Sequence, residues 1–239
     1  MQRKMMRVVG MARSGIHAVS EWLRMSHAEM GYDTQFDNLL PLERPNDIAR
    51  LFPVSGDKSE PFLWMIEHED QMLIDLPTLS PKLHNSFEFY DVMIIRDVFN
   101  TMASRKKHNE KWAARRSIQL WKTYAFEALN KTNFLGPNKK VINFNKWHAK
   151  PYIGSYREEV AKEFGITDLG SDTSKQATPG SSWDKLTVPV ADMKLFDRWK
   201  NYADVPEYWS LFDKQAYDLN TALFGVNEGV LKYRPDFAE

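Results

Sequence analysis

The chain has 239 residues, 43% of them hydrophobic and 27% charged, with 32 Lys and Arg balanced by 32 Asp and Glu, and it has no cysteine. That length suits one domain, 1–239, with one sizeable core. Zero net charge argues against a general nucleic-acid or polyanion binder, so any anion site has to be local. The lack of cysteine excludes disulfides, thiolate nucleophiles, Fe–S clusters and Cys-ligated zinc.

The N-terminal segment starts basic, but its apolar run, 5–9, is too short for a secretory signal. No other run, 92–95 included, approaches the ~20 residues that cross a bilayer. A soluble, cytoplasmic protein is expected, with no membrane insertion and no nucleic-acid partner. Its oligomeric state is not legible.

In chain order, residues 5–9 (MMRVV) read as a short strand, followed by Gly10-Met-Ala-Arg-Ser-Gly15. Val19, Trp22, Leu23, Ser26 and Met30 then share one face of a helix that stops at Gly31. Nearly continuous apolar runs at 61–66 (PFLWMI) and 89–95 (FYDVMII) predict strands buried on both faces of a parallel sheet. A fourth strand is predicted at 141–144 (VINF). Helices are predicted at 112–131, with Trp121, Tyr124, Ala125, Ala128 and Leu129 on one face, and from a Ser155–Glu158 capping box to before Gly165. A last helix is predicted over 207–224, carrying Tyr208, Leu211, Phe212, Leu219 and Leu223. Strands alternating with helices predict an α/β domain, a central parallel sheet flanked by helices with right-handed crossovers. The polar stretch 170–182 (GSDTSKQATPGSS) reads either as an exposed loop or as a lid in which Lys175 and hydroxyl groups close over an anion.

Gly10 and Gly15, between a strand and a helix, have the spacing of a phosphate-binding loop, where helix-start amides cradle an anion. A nucleotide triphosphatase loop would continue with Lys, for the β/γ-phosphates, and a Ser or Thr for Mg²⁺. Here Ile16 and His17 stand there, and the cation, Arg13, lies inside the loop. A tight strand-to-helix turn fits the bare glycine spacing equally well. A second anion site is suggested where the 89–95 strand ends in Arg96-Asp97, with Ser104 eight residues on. Arg96 there lies at the crevice of an open α/β sheet, suited to a bidentate phosphate contact; a surface pair with Asp97 is the plainer reading. Eight Lys/Arg (Arg96, Arg105, Lys106, Lys107, Lys111, Arg115, Arg116, Lys122) against Asp97 and Glu110 make a local basic patch.

Arg13-Ser14-Gly15, followed by Ile95-Arg96-Asp97 and Ser104, resembles the paired nucleotide motifs of sulfotransferases that use 3′-phosphoadenosine 5′-phosphosulfate (PAPS). Looser similarity continues through 141–147, 155–165, 180–183 and Arg198-Trp199, so that it spans about 6–225. The resemblance implies a P-loop NTPase-like fold. It also implies PAPS as donor cosubstrate, the 5′-phosphosulfate on Arg13, Ser14, Gly15, Ile16 and His17, and the 3′-phosphate on Arg96 and Ser104. No metal is implied. Two departures stand out: Ile16 and His17 replace a hydroxyl pair, and 180–183 lacks the family's Arg-Lys-Gly segment. The acceptor implied is a hydroxyl, or in second place an amine, of a carbohydrate or small molecule.

Sulfuryl transfer needs a base for the acceptor proton. The resemblance puts it at the end of the second predicted strand, which here reads Glu67-His68-Glu69. Glu69 and His68 rank above Glu67, being further past the apolar run; His27 and His108 are expected on polar helix faces. Arg13 is the expected cation for the developing charge. A nucleotide or nucleoside kinase with a degenerate loop and a noncatalytic nucleotide-binding module are the alternatives.

Overall fold

β1 (Arg3–Gly10) is apolar on both faces, with Met5, Met6, Val8 and Val9 wholly buried, as a central parallel strand must be. It pairs in parallel with β3 (Phe62–Glu69) on one side and β4 (Glu88–Ile95) on the other. β2 (Asp33–Leu39) and β5 (Lys140–Asn143) complete a five-stranded sheet of order β2-β3-β1-β4-β5, parallel throughout. The computed structural model describes residues 3–39, 61–76, 86–108, 115–136, 138–149, 155–167 and 194–238. The stretches 170–182 and 180–183, and Trp112, lie outside them.

Two apolar layers flank the sheet, and strand alternation assigns the side chains to them. On one face, Met6, Val8, Leu63, Met65, Val92 and Ile94 pack against Val19, Trp22 and Leu23 of α1 (Ile16–Glu29). On the other, Val9, Met93 and Ile95 meet α2 (Val98–His108) and α3 (Arg115–Ala128) through Phe99, Met102, Trp121 and Tyr124. Burying each such side chain contributes roughly 1.5–3 kcal/mol. The α/β class predicted from the sequence is the one observed. Among the described residues no helix is long and apolar enough to cross a membrane.

The topology positions a crevice. After β1 the chain runs outward to β2, and after β4 it runs the opposite way to β5, so the loops following these two adjacent strands diverge.

One strand is added to those expected from the sequence, and three expectations are corrected. β2 is a strand that the hydrophobic pattern does not reveal. The single helix over 207–224 is instead a turn of helix at Pro206–Trp209 and α5 (Lys214–Phe224), separated because Asp213 caps the second by accepting from the Ala216 amide at 2.9 Å. (The helix α4, Tyr156–Glu163, lies between β5 and these.) Ser155 precedes α4 as expected, but its hydroxyl caps no amide; its carbonyl accepts from Glu158 at 3.0 Å. His27 is buried, with Nδ1–H donating to the Leu23 carbonyl one turn back at 2.8 Å, where a polar helix face was expected.

Candidate functional site

β1 ends at Gly10, and the chain turns through Met11–Ser14, where the Ser14 amide donates to the Met11 carbonyl at 3.0 Å. Arg13 and Gly15 both take left-handed backbone, φ 73° and 94°. Gly15 is required twice over, since a Cβ there would also lie 2.1 Å from the Phe144 ring. α1 then starts at Ile16 with no side-chain cap and no acidic residue in its first turn. Its first amides therefore have no side-chain cap among the described residues, and the helix dipole favours an anion there. The Ser14 hydroxyl is buried, 2% of the residue being exposed, with no hydrogen-bond partner among the described residues.

The loop is braced from outside. Asp70, itself at φ 57°, donates its amide to the Gly10 carbonyl at 3.0 Å and accepts from the Ala12 amide at 3.0 Å. Arg105 of α2 donates to Asp70 at 2.7 Å and to the Ala12 carbonyl at 3.2 Å. Two members of the expected basic patch are thus structural: Arg105 pairs with Asp70, and buried Lys122 pairs with Asp213 at 2.5 Å.

Arg96, at the end of β4, spans the crevice. Its Nη1 donates to the Arg13 carbonyl at 3.1 Å, its Nη2 donates to the Leu195 carbonyl, and its guanidinium lies 5.5 Å over the Phe144 ring. Burial presses its pKa down, against the pull of Asp97. Asp97 is no surface partner: it is buried and caps α2, accepting from the Asn100 amide at 2.8 Å and from Asn145 Nδ2 at 3.0 Å. Ser104, on α2, accepts from Arg198 Nη1 at 3.1 Å. Arg198 is held in turn by its amide, which donates to Asn100 Oδ1 at 2.8 Å. Arg96 and Ser104 both therefore contact the 195–198 stretch, and Arg198 joins them as a buried cation. The sequence offers only its place near the late motif as a signal.

Alternation along β3 divides the three base candidates. Glu67 and Glu69 share the α1 face with Leu63 and Met65, whereas His68 points with Trp64 and Ile66 to the other. There His68 is buried, and its pKa falls to about 4, from burial first and the Arg7 charge second, with Asp91 opposing. Arg7 and Asp91, directly paired across β1 and β4, form a buried fork with bonds of 2.6 and 2.9 Å.

On the α1 face, Glu67 is wholly buried, and His17 Nδ1 stands 2.5 Å from its Oε1. His17 Nε2 lies 3.5 Å from Glu69 Oε1. The hydrogen bond to Glu67 raises the His17 pKa, burial and Arg13 opposing. Burial raises that of Glu69, with His17 opposing. Burial lowers that of Arg13, with Glu69 opposing. Glu67, Glu69, His17 and Arg13 are therefore one electrostatic group at the loop. His68 is on the far side of the sheet from it.

Among solved structures, the chain is similar to the sulfotransferase domain of the Synechococcus PCC 7002 olefin synthase, with a TM-score of 0.53 and 12% sequence identity, over 95% of this chain and 97% of that one. The likeness is one of fold. No protein-family model matches the chain, and no curated protein matches it in sequence.

Proposed function

We propose that this protein is a sulfotransferase that moves a sulfuryl group from PAPS to a hydroxyl of a carbohydrate or small-molecule acceptor, with an amine as the second choice. The observation that carries the reading is the Gly10–Gly15 loop. It sets a helix start and a buried Ser14 hydroxyl, neither with a side-chain partner among the described residues, beside Arg13, at the same strand ends as two carboxylates that share an imidazole. The fold likeness to a sulfotransferase domain supports it. Ile16 and His17 stand where a phosphate-binding Lys and a metal-binding hydroxyl would be, so the reading calls for no metal.

In this reading the loop amides, Ser14 and Arg13 hold the 5′-phosphosulfate, while Arg96, Ser104 and Arg198 hold the 3′-phosphate. The acceptor oxygen attacks sulfur in line as the sulfur–oxygen bond to the 5′-phosphate breaks. Glu69, at 24% side-chain exposure the accessible carboxylate of the pair, takes the acceptor proton. Arg13 and the loop amides neutralise the charge growing on the departing phosphate. One domain over 1–239, acting in the cytoplasm on a soluble acceptor, is the organisation we propose.

Calorimetry without Mg²⁺ tests the assignment. The 3′,5′-bisphosphate should bind at least about tenfold more tightly than ADP, a difference of about 1.4 kcal/mol. Equal affinities, or binding that demands Mg²⁺, would remove the assignment and favour a kinase. Glu69→Gln should lower bisphosphate release from PAPS by roughly 10²–10⁴-fold and leave bisphosphate affinity unchanged.

A further inference from the structure

His17 sits in the first turn of a helix, where the positive end of the dipole disfavours a cation. Yet the chain surrounds it with two carboxylates. Glu67 is completely buried, neither of its oxygens has a well-formed hydrogen bond among the described residues, and His17 Nδ1, 2.5 Å from Oε1, is the one charged contact found there. A carboxyl in so dry a place can carry charge only beside a counter-charge, and His17, with Nδ1 at 2.5 Å, is the group placed to supply it. The imidazole is nonetheless not consumed by this pairing, for 58% of its side chain is exposed beside the Ser14–Gly15 turn. It thus touches Glu67 on one side and solvent on the other, in the helix turn that invites an anion.

We propose that His17 works as an imidazolium pinned by Glu67, a second loop cation beside Arg13 that binds the phosphosulfate end of the donor, so that donor binding is linked to one proton. The proposal rests on the sulfotransferase reading for the identity of the anion only. Glu67 positions the ring, and His17 replaces by charge what the missing hydroxyl pair would supply by hydrogen bonds.

The charged groups facing His17 are Glu67 and Glu69 from β3 and Arg13 from the loop; Asp70 and Arg105, beyond them, neutralise each other at 2.7 Å. The carboxylates raise the His17 pKa and outweigh Arg13 and burial. The cation is therefore present below that raised value and lost as pH climbs through it. Anion affinity should be full on the acid side and should fall above it by up to about tenfold per pH unit, the limit for one linked proton. Glu69 works in the opposite direction, because its carboxylate repels an anion once deprotonated. Its pKa is raised by burial, with His17 opposing, and the Glu69→Gln variant removes its contribution so that the His17 limb is read alone.

The experiment is bisphosphate binding between pH 6 and 10 in buffers of different ionisation heat, with the His17 ring followed by NMR in the free protein. Wild type should take up close to one proton on binding on the alkaline limb. His17→Gln should lose that limb, His17→Lys should keep the affinity to higher pH, Glu67→Gln should move the limb to lower pH, and Glu69→Gln should retain it. An unchanged alkaline limb in His17→Gln, or a ring that titrates at or below 6.5 in the free protein, overturns the proposal. Inorganic pyrophosphate, run in parallel, keeps the two readings apart. A pH-linked affinity for pyrophosphate that disappears in His17→Gln, with no preference for the bisphosphate over ADP, would remove the sulfotransferase assignment and leave the cation assignment standing.

Discussion

Gly15 shows how one residue can be fixed by local and distant demands together. Its φ of 94° is a region that side chains rarely enter, and the space beside it belongs to Phe144, whose ring also underlies Arg96. Gly15→Ala should destabilise the fold by roughly 2–5 kcal/mol, the sum of a strained backbone and an overpacked contact. Denaturant melts would measure it. A loss under 1 kcal/mol would mean that Phe144 moves aside freely. The loop itself was readable in the sequence because its glycine spacing is local. The His17–Glu67 contact was not, since it joins residues on different elements whose meeting only the β1–β3 register decides. Arg198 at Ser104 escaped for the same reason, as its bond crosses 94 residues of chain. His27 misled because a histidine among polar neighbours reads as exposed, whereas the Leu23 carbonyl satisfies its Nδ1–H in the interior.

At the scale of elements, α2 does two jobs. Its start is tied to the crevice through Asp97 and Asn100, and its far end sends Arg105 back to hold the loop after β1. Asp70→Asn would remove the carboxylate charge that the Arg105 guanidinium, 6% exposed, meets at 2.7 Å. Because Asp70 is 23% exposed and water can screen the change, the expected loss is about 2–3 kcal/mol, below the range for a fully buried pair. Bisphosphate affinity should fall as well, because the Ala12 amide loses a charged acceptor. Unaltered affinity with lowered stability would show that the loop keeps its shape without the brace. The central strands β1, β3 and β4 were legible because burial on both faces leaves continuous apolar runs. β2 (DTQFDNL) was hidden because it is an edge strand paired with β3 alone, and five of its seven residues are polar, with Phe36 exposed, so that no apolar run or alternation marks it. The break before α5 was hidden because apolar spacing continues across 210–213, and only the capping bond of Asp213 marks a new start.

For the molecule as a whole, each face of the sheet buries one histidine that acid would charge. His27 and His68 are both held neutral, each with a pKa brought from 6.5 to about 4, chiefly by burial. Between those values the unfolded chain binds protons that the folded one refuses, so stability falls as pH drops from 6.5 toward 4. Each group contributes a slope of at most about 1.4 kcal/mol per pH unit. His27→Gln should flatten this acid limb in denaturant titrations, and an identical slope in the variant would show that His27 takes up a proton while folded. A different kind of consequence follows from the Arg96 bridge between the Arg13 and Leu195 carbonyls. A ribosome makes these three residues in turn, and at about 5–20 residues per second Arg13 waits on the order of 10–40 s for Leu195. While the chain is being made, β1, its glycine loop and even β4 can assemble, but the crevice between them lacks its clasp and Ser104 lacks Arg198. A nascent chain thus cannot complete the crevice until residues 195–198 have emerged, and its closing becomes a late event in the protein's own synthesis.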